Sequence, residues 1–182
     1  MSSTPCAIVT GASRGIGRAI ALALAREKID LAVTARSREN LESLRDEVEP
    51  LGISCTVHAT DLAQASAVHD TLDYFGSRCG NIDILVNNAG IGSGIRPGPV
   101  AEFDDAYWDL TMRLNLTVPY LFSKGVLPGM IRREHGRIIN IASVAGRIPL
   151  IHGAAYSTSK HGLIGLTRTT ALEVAGNGIT VN

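Results

Sequence analysis

Residues 6–17 read CAIVTGASRGIG: a short apolar, β-branched run ending in Thr10, then a turn with glycines at 11, 15 and 17. The run suits an extended strand, and the glycines permit a tight turn that a ligand can approach closely. From residue 15 to about 27 the apolar positions recur at helical spacing. Backbone N–H groups at that helix start, around Ile16, form a ready site for an anion such as a pyrophosphate. The glycine spacing is G-x-x-x-G-x-G, which departs from the G-x-G-x-x-G dinucleotide fingerprint. It is the position of the turn, between a first strand and a first helix, that carries the reading.

Working outward, the same alternation repeats. Further apolar runs stand at 31–35 (LAVTA), 53–58 (ISCTVH), 82–86 (IDILV) and 137–142 (RIINIA). Segments of helical spacing separate them, near 38–49, 62–78, 103–132 and 155–175. Continuous apolar strands alternating with helices indicate a parallel sheet covered on both faces, hence a doubly wound α/β domain of three layers, Rossmann-type. In such sheets ligands bind beyond the carboxyl ends of the strands, where Gly11, Asp61, Asn87 and Ser143 fall. GITVN (178–182) opens a sixth run at which the chain stops, so the fold is expected to be cut after the start of its sixth strand.

With 182 residues the chain is read as one domain, 1–182. Seventeen basic residues balance 17 acidic ones, and no basic tract tracks a phosphate backbone, so no nucleic acid is expected. No apolar run reaches the roughly 18 residues of a membrane span, and no cationic-then-apolar leader opens the chain. A soluble, cytoplasmic protein is expected. Cys6, Cys55 and Cys79 form no CxxC pair, and the first and second are read as small core residues. Five scattered histidines show no ligand spacing, so no metal is expected.

The end of the second strand bears on the cofactor. An NAD site calls for an acidic residue that takes the ribose 2′-hydroxyl. This chain has Ala35, Arg36 and Ser37 there, and Arg14 inside the glycine turn. Two guanidiniums suit a 2′-phosphate, with charge-assisted contacts of roughly 1.5 to 3 kcal/mol each. The expected cofactor is therefore NADPH/NADP. Asp61 in TDLAQ serves either as acceptor for an adenine amino group or, with Gln64, as a capping box for the next helix. NNAG (87–90) closes the fourth strand with a small-residue turn.

Two tyrosines precede a lysine by four residues, Tyr120–Lys124 and Tyr156–Lys160, and either pair shares a helix face. The spacing alone does not separate them. Taken together, TGASRGIG, NNAG, Asn115 in RLNLT, Ser143 in IINIAS and Tyr156 with Lys160 in YSTSK resemble the short-chain dehydrogenase/reductase family in its single-domain form. The resemblance covers essentially the whole chain, with five motifs in order at strand ends. It implies that Tyr156, 13 positions after Ser143, is the acid; Tyr120, just after Pro119 and early in an apolar helix, is read as a packing residue.

The resemblance further implies a hydride transfer to a carbonyl carbon. Tyr156 then donates a proton to the carbonyl oxygen, Ser143 holds that oxygen, and Lys160 binds the nicotinamide ribose. Asn115, which otherwise reads as a helix-start cap, would hold a water chain that resupplies protons through Lys160. The implied cofactor contacts are Gly11, Ser13, Arg14, Gly15, Ile16, Gly17, Arg36, Ser37, Asp61, Asn88, Ala89 and Gly90, together with Tyr156 and Lys160. Making a phenol active near neutrality takes roughly 4 kcal/mol, which one ammonium at ~4 Å supplies at an effective dielectric of 20. On that reckoning Lys160 suffices alone.

Loops 91–99 and 144–153 are expected to build the substrate pocket, with Arg147 and His152 placed to address a carboxylate, a thioester or a carrier-bound phosphopantetheine. The stretch from Gly136 to Thr167 looks like 3-oxoacyl and polyketide ketoreductases, implying reduction of a small, possibly carrier-bound carbonyl substrate. A secondary-alcohol or hydroxysteroid dehydrogenase is the alternative. From another class comes a catalytically silent nucleotide-binding fragment, because the lid and last strand of the family pattern are absent. A homodimer or homotetramer through the helices of Asn115 and Tyr156 is also implied.

Overall fold

The computed structural model describes residues 4–182. Six strands form one parallel sheet: β1 (Cys6–Thr10), β2 (Asp30–Ala35), β3 (Cys55–Ala59), β4 (Ile84–Asn87), β5 (Gly136–Asn140) and β6 (Ile179–Val181). Their order is β3-β2-β1-β4-β5-β6, so the chain reverses direction across the sheet between β1 and β4. Ile8, at the middle of β1, pairs with Ala32 on one side and Leu85 on the other. This is the doubly wound architecture, and its crevice at the reversal point lies over the ends of β1 and β4.

The helices are α1 (Gly15–Arg26), α2 (Arg38–Val48), α3 (Ala67–Cys79), α4 (Asp105–Met112), α5 (Val118–Arg133) and α6 (Ala154–Glu173). Ala21 and Ala25 of α1 and Leu41, Leu44 and Val48 of α2 pack on one face of the sheet. Val68 and Phe75 of α3 pack on the other, with Val118, Phe122, Val126 and Met130 of α5. All of β1 is buried, as its apolar run requires.

The covering is incomplete at one place. Ile139 of β5 sits beside Val86 in register, on the face that α1 and α2 cover elsewhere. There Arg137, Ile139 and Thr180 are exposed, so β5 alternates buried and exposed instead of reading buried throughout.

Two helix boundaries differ from the sequence reading. The segment expected from 62 becomes helical only at Ala67, because Asp61 turns the chain first: its Oδ1 accepts from Ala63 N at 3.0 Å. The long segment from 103 is three pieces. Asp104 caps α4 by accepting from the N–H groups of Ala106 and Tyr107, and a π turn over Arg113–Thr117 joins α4 to α5. Cys6 and Cys55 are buried as expected. Cys79 at the end of α3 is half-buried, and the neighbouring Cys6 thiol holds its own thiol below the ordinary value. Among the described residues no helix is long and apolar enough to cross a membrane.

Candidate active site

A cleft of about 750 Å³ opens over the carboxyl ends of β1, β2 and β4. Of the residues expected to hold a cofactor, Gly11, Ser13, Arg14, Gly15 and Ile16 line it from the first turn. Arg36, Ser37 and Asp61 line it from the ends of β2 and β3, and Asn88, Ala89 and Gly90 from the end of β4. Gly17 is buried and does not line the cleft.

The three glycines of the turn do different things. Gly15 has φ +58 with open space where a Cβ would stand, the conformation and the clearance a bound phosphate group needs. A Cβ on Gly17 would lie 2.4 Å from the Gly11 carbonyl oxygen and 2.4 Å from Asn88 Nδ2. Gly17 therefore permits packing inside the protein.

What presses there is a bridge the sequence reading missed. Thr10 Oγ1 accepts from the backbone N–H groups of Asn88 and Ala89, each at 3.0 Å, and donates to Val86 O at 3.3 Å. Asn88 Nδ2 donates back to the carbonyls of Thr10 and Gly11 at 3.0 and 3.2 Å. The glycine turn and the NNAG turn are thus one locked unit, and the Asn88 amide serves the protein. A hydroxyl residue closing a strand just before a glycine was the only local sign of it.

At the far end of the cleft, Arg14 and Arg36 are exposed and, among the described residues, in no ion pair. Ser37 caps α2 by accepting from Asn40 N at 3.3 Å. Asp61 does not form the expected capping box, since α3 starts six residues later at Ala67 and Gln64 donates its backbone N–H to the Asp61 carbonyl at 3.0 Å. The Asp61 carboxylate stays on the cleft wall, with one oxygen occupied by Ala63 N.

The two tyrosine–lysine pairs have the same geometry and different surroundings. Lys160 Nζ lies 5.9 Å from the Tyr156 ring centre, and Lys124 Nζ lies 5.9 Å from the Tyr120 ring centre. Tyr120 is 44% exposed on α5, not the packing residue expected, because its helix turns that face to solvent. Lys160 is only 7% exposed; its ammonium donates to Ile141 O at 2.7 Å, and burial pulls it down to about 8. Lys160 stands over the ring of Tyr156, so its charge acts in the direction that favours a phenolate there.

Tyr156 stands in the first turn of α6 and lines a small chamber with Ser93, Arg96, Tyr107 and His152. Ser143 caps the short turn Val144–Gly146, its Oγ accepting from Ala145 N at 3.2 Å. Arg147 does not line the chamber. Asn115 is buried in the π turn, not at a helix start. Its Oδ1 accepts from Ile91 N at 2.8 Å, and its Nδ2 donates to Ile91 O at 3.0 Å and to Ser159 Oγ at 3.1 Å. The amide thus pins the loop after β4 to α6.

A buried amide chain behind the site also escaped the sequence reading. Asn87 Nδ2 donates to Asn140 Oδ1 at 2.8 Å, and Asn140 Nδ2 donates to Thr167 Oγ1 at 2.8 Å, tying β4, β5 and α6 together.

The model of the short chain dehydrogenase family matches residues 5–182. The 3-oxoacyl-(acyl-carrier-protein) reductase FabG of Staphylococcus aureus is 39% identical over 183 residues, covering 100% of this chain and 73% of that protein. The D-beta-hydroxybutyrate dehydrogenase of Cupriavidus necator is 36% identical over 176 residues, covering 97% and 67%. A crystal structure of the F189W actinorhodin polyketide ketoreductase with NADPH superposes with a TM-score of 0.91 at 38% identity, covering 100% of this chain and 70% of that one. The chain spans about two thirds to three quarters of the length of these curated relatives.

Proposed function

The chain belongs to the short-chain dehydrogenase family, and we propose that it reduces a ketone, of 3-oxoacyl or polyketide type, to a secondary alcohol with NADPH. The observation that supports the reading is a dinucleotide-sized cleft at the carboxyl ends of the strands that shares Tyr107 with the chamber lined by Tyr156, four residues before the buried Lys160. The cleft fits the phosphorylated cofactor: Arg14 and Arg36 are without ion pairs among the described residues, and β2 ends in Ala35, Arg36 and Ser37 with no acidic residue among them. When bound, NADPH supplies the hydride.

The chain's own residues then do the following. Arg14, Arg36 and Ser37 take the 2′-phosphate, and the N–H groups around Ile16 take the pyrophosphate. Tyr156 Oη gives its proton to the substrate carbonyl oxygen as the carbon is reduced, with Ser143 donating a second hydrogen bond to that oxygen. Lys160 stabilises the tyrosinate left behind, and its hold on Ile141 O keeps the ammonium fixed on that side of α6. Water held beside Asn115, passing protons to Lys160, forms the route by which the proton returns.

Tyr156→Phe tests the assignment. NADPH oxidation with a 3-oxo ester is expected to fall at least ~10³-fold, with NADPH binding by fluorescence unchanged. Substantial residual turnover would reassign the acid, and NADPH binding without turnover in the unaltered chain would favour the silent nucleotide-binding reading. Ala35→Asp with Arg36→Ala is expected to move the cofactor preference toward NADH about tenfold or more; an unchanged ratio of kcat/KM for the two cofactors would remove Arg36 from the site.

The relative from Cupriavidus necator supports a second reading, oxidation of a secondary alcohol by the same residues in reverse. The relative rates of the two directions at one pH separate the readings. A homodimer or homotetramer through α5 and α6, which expose Ile131 and Leu172, belongs to the same proposal, and light scattering reads it.

A further inference from the structure

Ser159, the residue before Lys160, is fully buried and has no part in the reduction above. Its hydroxyl makes two hydrogen bonds. It donates to the backbone carbonyl of Tyr156 at 2.8 Å and accepts from Asn115 Nδ2 at 3.1 Å. A hydroxyl has one hydrogen, so with Tyr156 O taking it the oxygen is left as an acceptor for the Asn115 amide.

That amide is fixed on its other side by the wall of the cofactor cleft. Asn115 Oδ1 takes the N–H of Ile91, Nδ2 gives to the Ile91 carbonyl, and a Cβ on Gly90 would stand 2.8 Å from Oδ1. Turning the amide over would set its NH2 against the Ile91 N–H, so one orientation alone satisfies all three partners. Gly90 and Ile91 both line the cleft. A single line of contacts therefore runs from the cleft wall through Asn115 and Ser159 to the backbone of Tyr156. The first turn of α6 has no other side-chain tie at its start, because its N-cap is Gly153. A serine bonded to the carbonyl three residues earlier also competes with the helical ladder and bends the helix locally. Misplacing a reacting group by about 1 Å costs as much as ~10²-fold in rate, so where the backbone of Tyr156 is held matters to its proton transfer.

We infer that Ser159 is a positioning residue: acting through Asn115, its hydroxyl fixes the first turn of α6 to the cofactor-cleft wall and so sets the place from which Tyr156 delivers its proton. The inference rests on the ketone-reduction reading.

The test follows ethyl acetoacetate reduction by NADPH in the unaltered protein, in Ser159→Ala and in Ser159→Cys, with kcat expressed per NADPH-binding site. Alanine removes only the hydroxyl, and the thiol of cysteine is a weak donor and a weak acceptor. In Ser159→Ala kcat is expected to fall about 5- to 10-fold, while KM for the ester and for NADPH stay within about twofold. The ratio of kcat in H2O to kcat in D2O is expected to rise, because the loss falls on the proton-transfer step; a loss of folded molecules alone leaves that ratio where it was. Ser159→Cys is expected to fall between the other two. An unchanged kcat per site, an unchanged solvent isotope effect, or a KM for NADPH raised in step with the loss of kcat each overturns the inference and leaves ketone reduction standing. If Ser159→Ala does not bind NADPH, Ser159→Cys decides by the same three criteria. No turnover by unaltered protein that binds NADPH overturns the reduction reading and the inference with it.

Discussion

At each end of the shared β1–β4 edge, one side chain bridges the two strands. At the carboxyl end Thr10 Oγ1 takes the N–H groups of Asn88 and Ala89. At the amino end Asp83 Oδ2 takes the N–H of Cys6 at 3.0 Å, and its other oxygen faces Arg133 NH2 at 3.5 Å. The two are alike as hydrogen-bonding devices and differ in what lies beyond them. Past Thr10 are the glycine turns and the cleft, whereas past Asp83 are helix and strand ends, with Arg133 also donating to Ile82 O at 2.7 Å. A bridge near the ligand transmits its geometry to the site, and one at the far end contributes only to folding.

The largest effect that sharpens the contrast is expected at Lys160. Lys160→Met is expected to lower kcat at least ~10²-fold. It is also expected to change stability in a pH-dependent way. The unfolded lysine holds its proton to its ordinary 10.5, and the folded one releases it near 8. Between those values the unfolded chain binds more protons, so the unaltered protein gains stability as pH rises through that window relative to the variant. Over the same window reductase activity declines, because the ammonium beside Tyr156 loses its charge. Denaturant midpoints and kcat at pH 7, 8 and 9.5 check both signs, and parallel changes in the two quantities would break the account.

Next comes Thr10→Val, which keeps the shape of the side chain and leaves two N–H groups without their acceptor. A loss of roughly 2–4 kcal/mol in stability is expected, together with weaker NADPH binding, read by denaturant unfolding and fluorescence titration. The smallest functional effect belongs to Asp83→Ala. Stability falls by roughly 1.5–3 kcal/mol, while kcat/KM and the NADPH dissociation constant stay within about twofold. If Asp83→Ala weakens NADPH binding as much as Thr10→Val does, the division between the two ends is wrong.

The sheet was legible because its signal is local. Apolar runs such as CAIVT bury along their whole length, and the glycine turn follows directly. Eleven of the expected cofactor residues line one cleft for the same reason, since strand ends in a parallel sheet converge whatever their spacing. The illegible parts depend on partners distant in sequence. Nothing near Asn115 announces Ile91, and nothing near Tyr107 announces the chamber it shares with Tyr156. The spacing of Tyr120 and Lys124 matched that of Tyr156 and Lys160 down to the distance, and only burial separated them. Burial of a single lysine is a property of the assembled fold, and no periodicity encodes it. Of the two roles left open for Asp61, the helix cap is absent because its carboxylate closes a turn, which uses the same side-chain acceptor as a helix start.

The closeness of Gly17 to Gly11 and Asn88 has a calorimetric consequence. A turn packed this closely against the loop after β4 behind the cleft is ordered before the ligand arrives, so its ordering entropy is settled during folding. Titration of NADPH into the protein is then expected to show a heat-capacity change set by the surface the ligand itself covers, with no further contribution from ordering of the first turn. Arg14 and Arg36, exposed at the far end, are where ordering on association is left to occur.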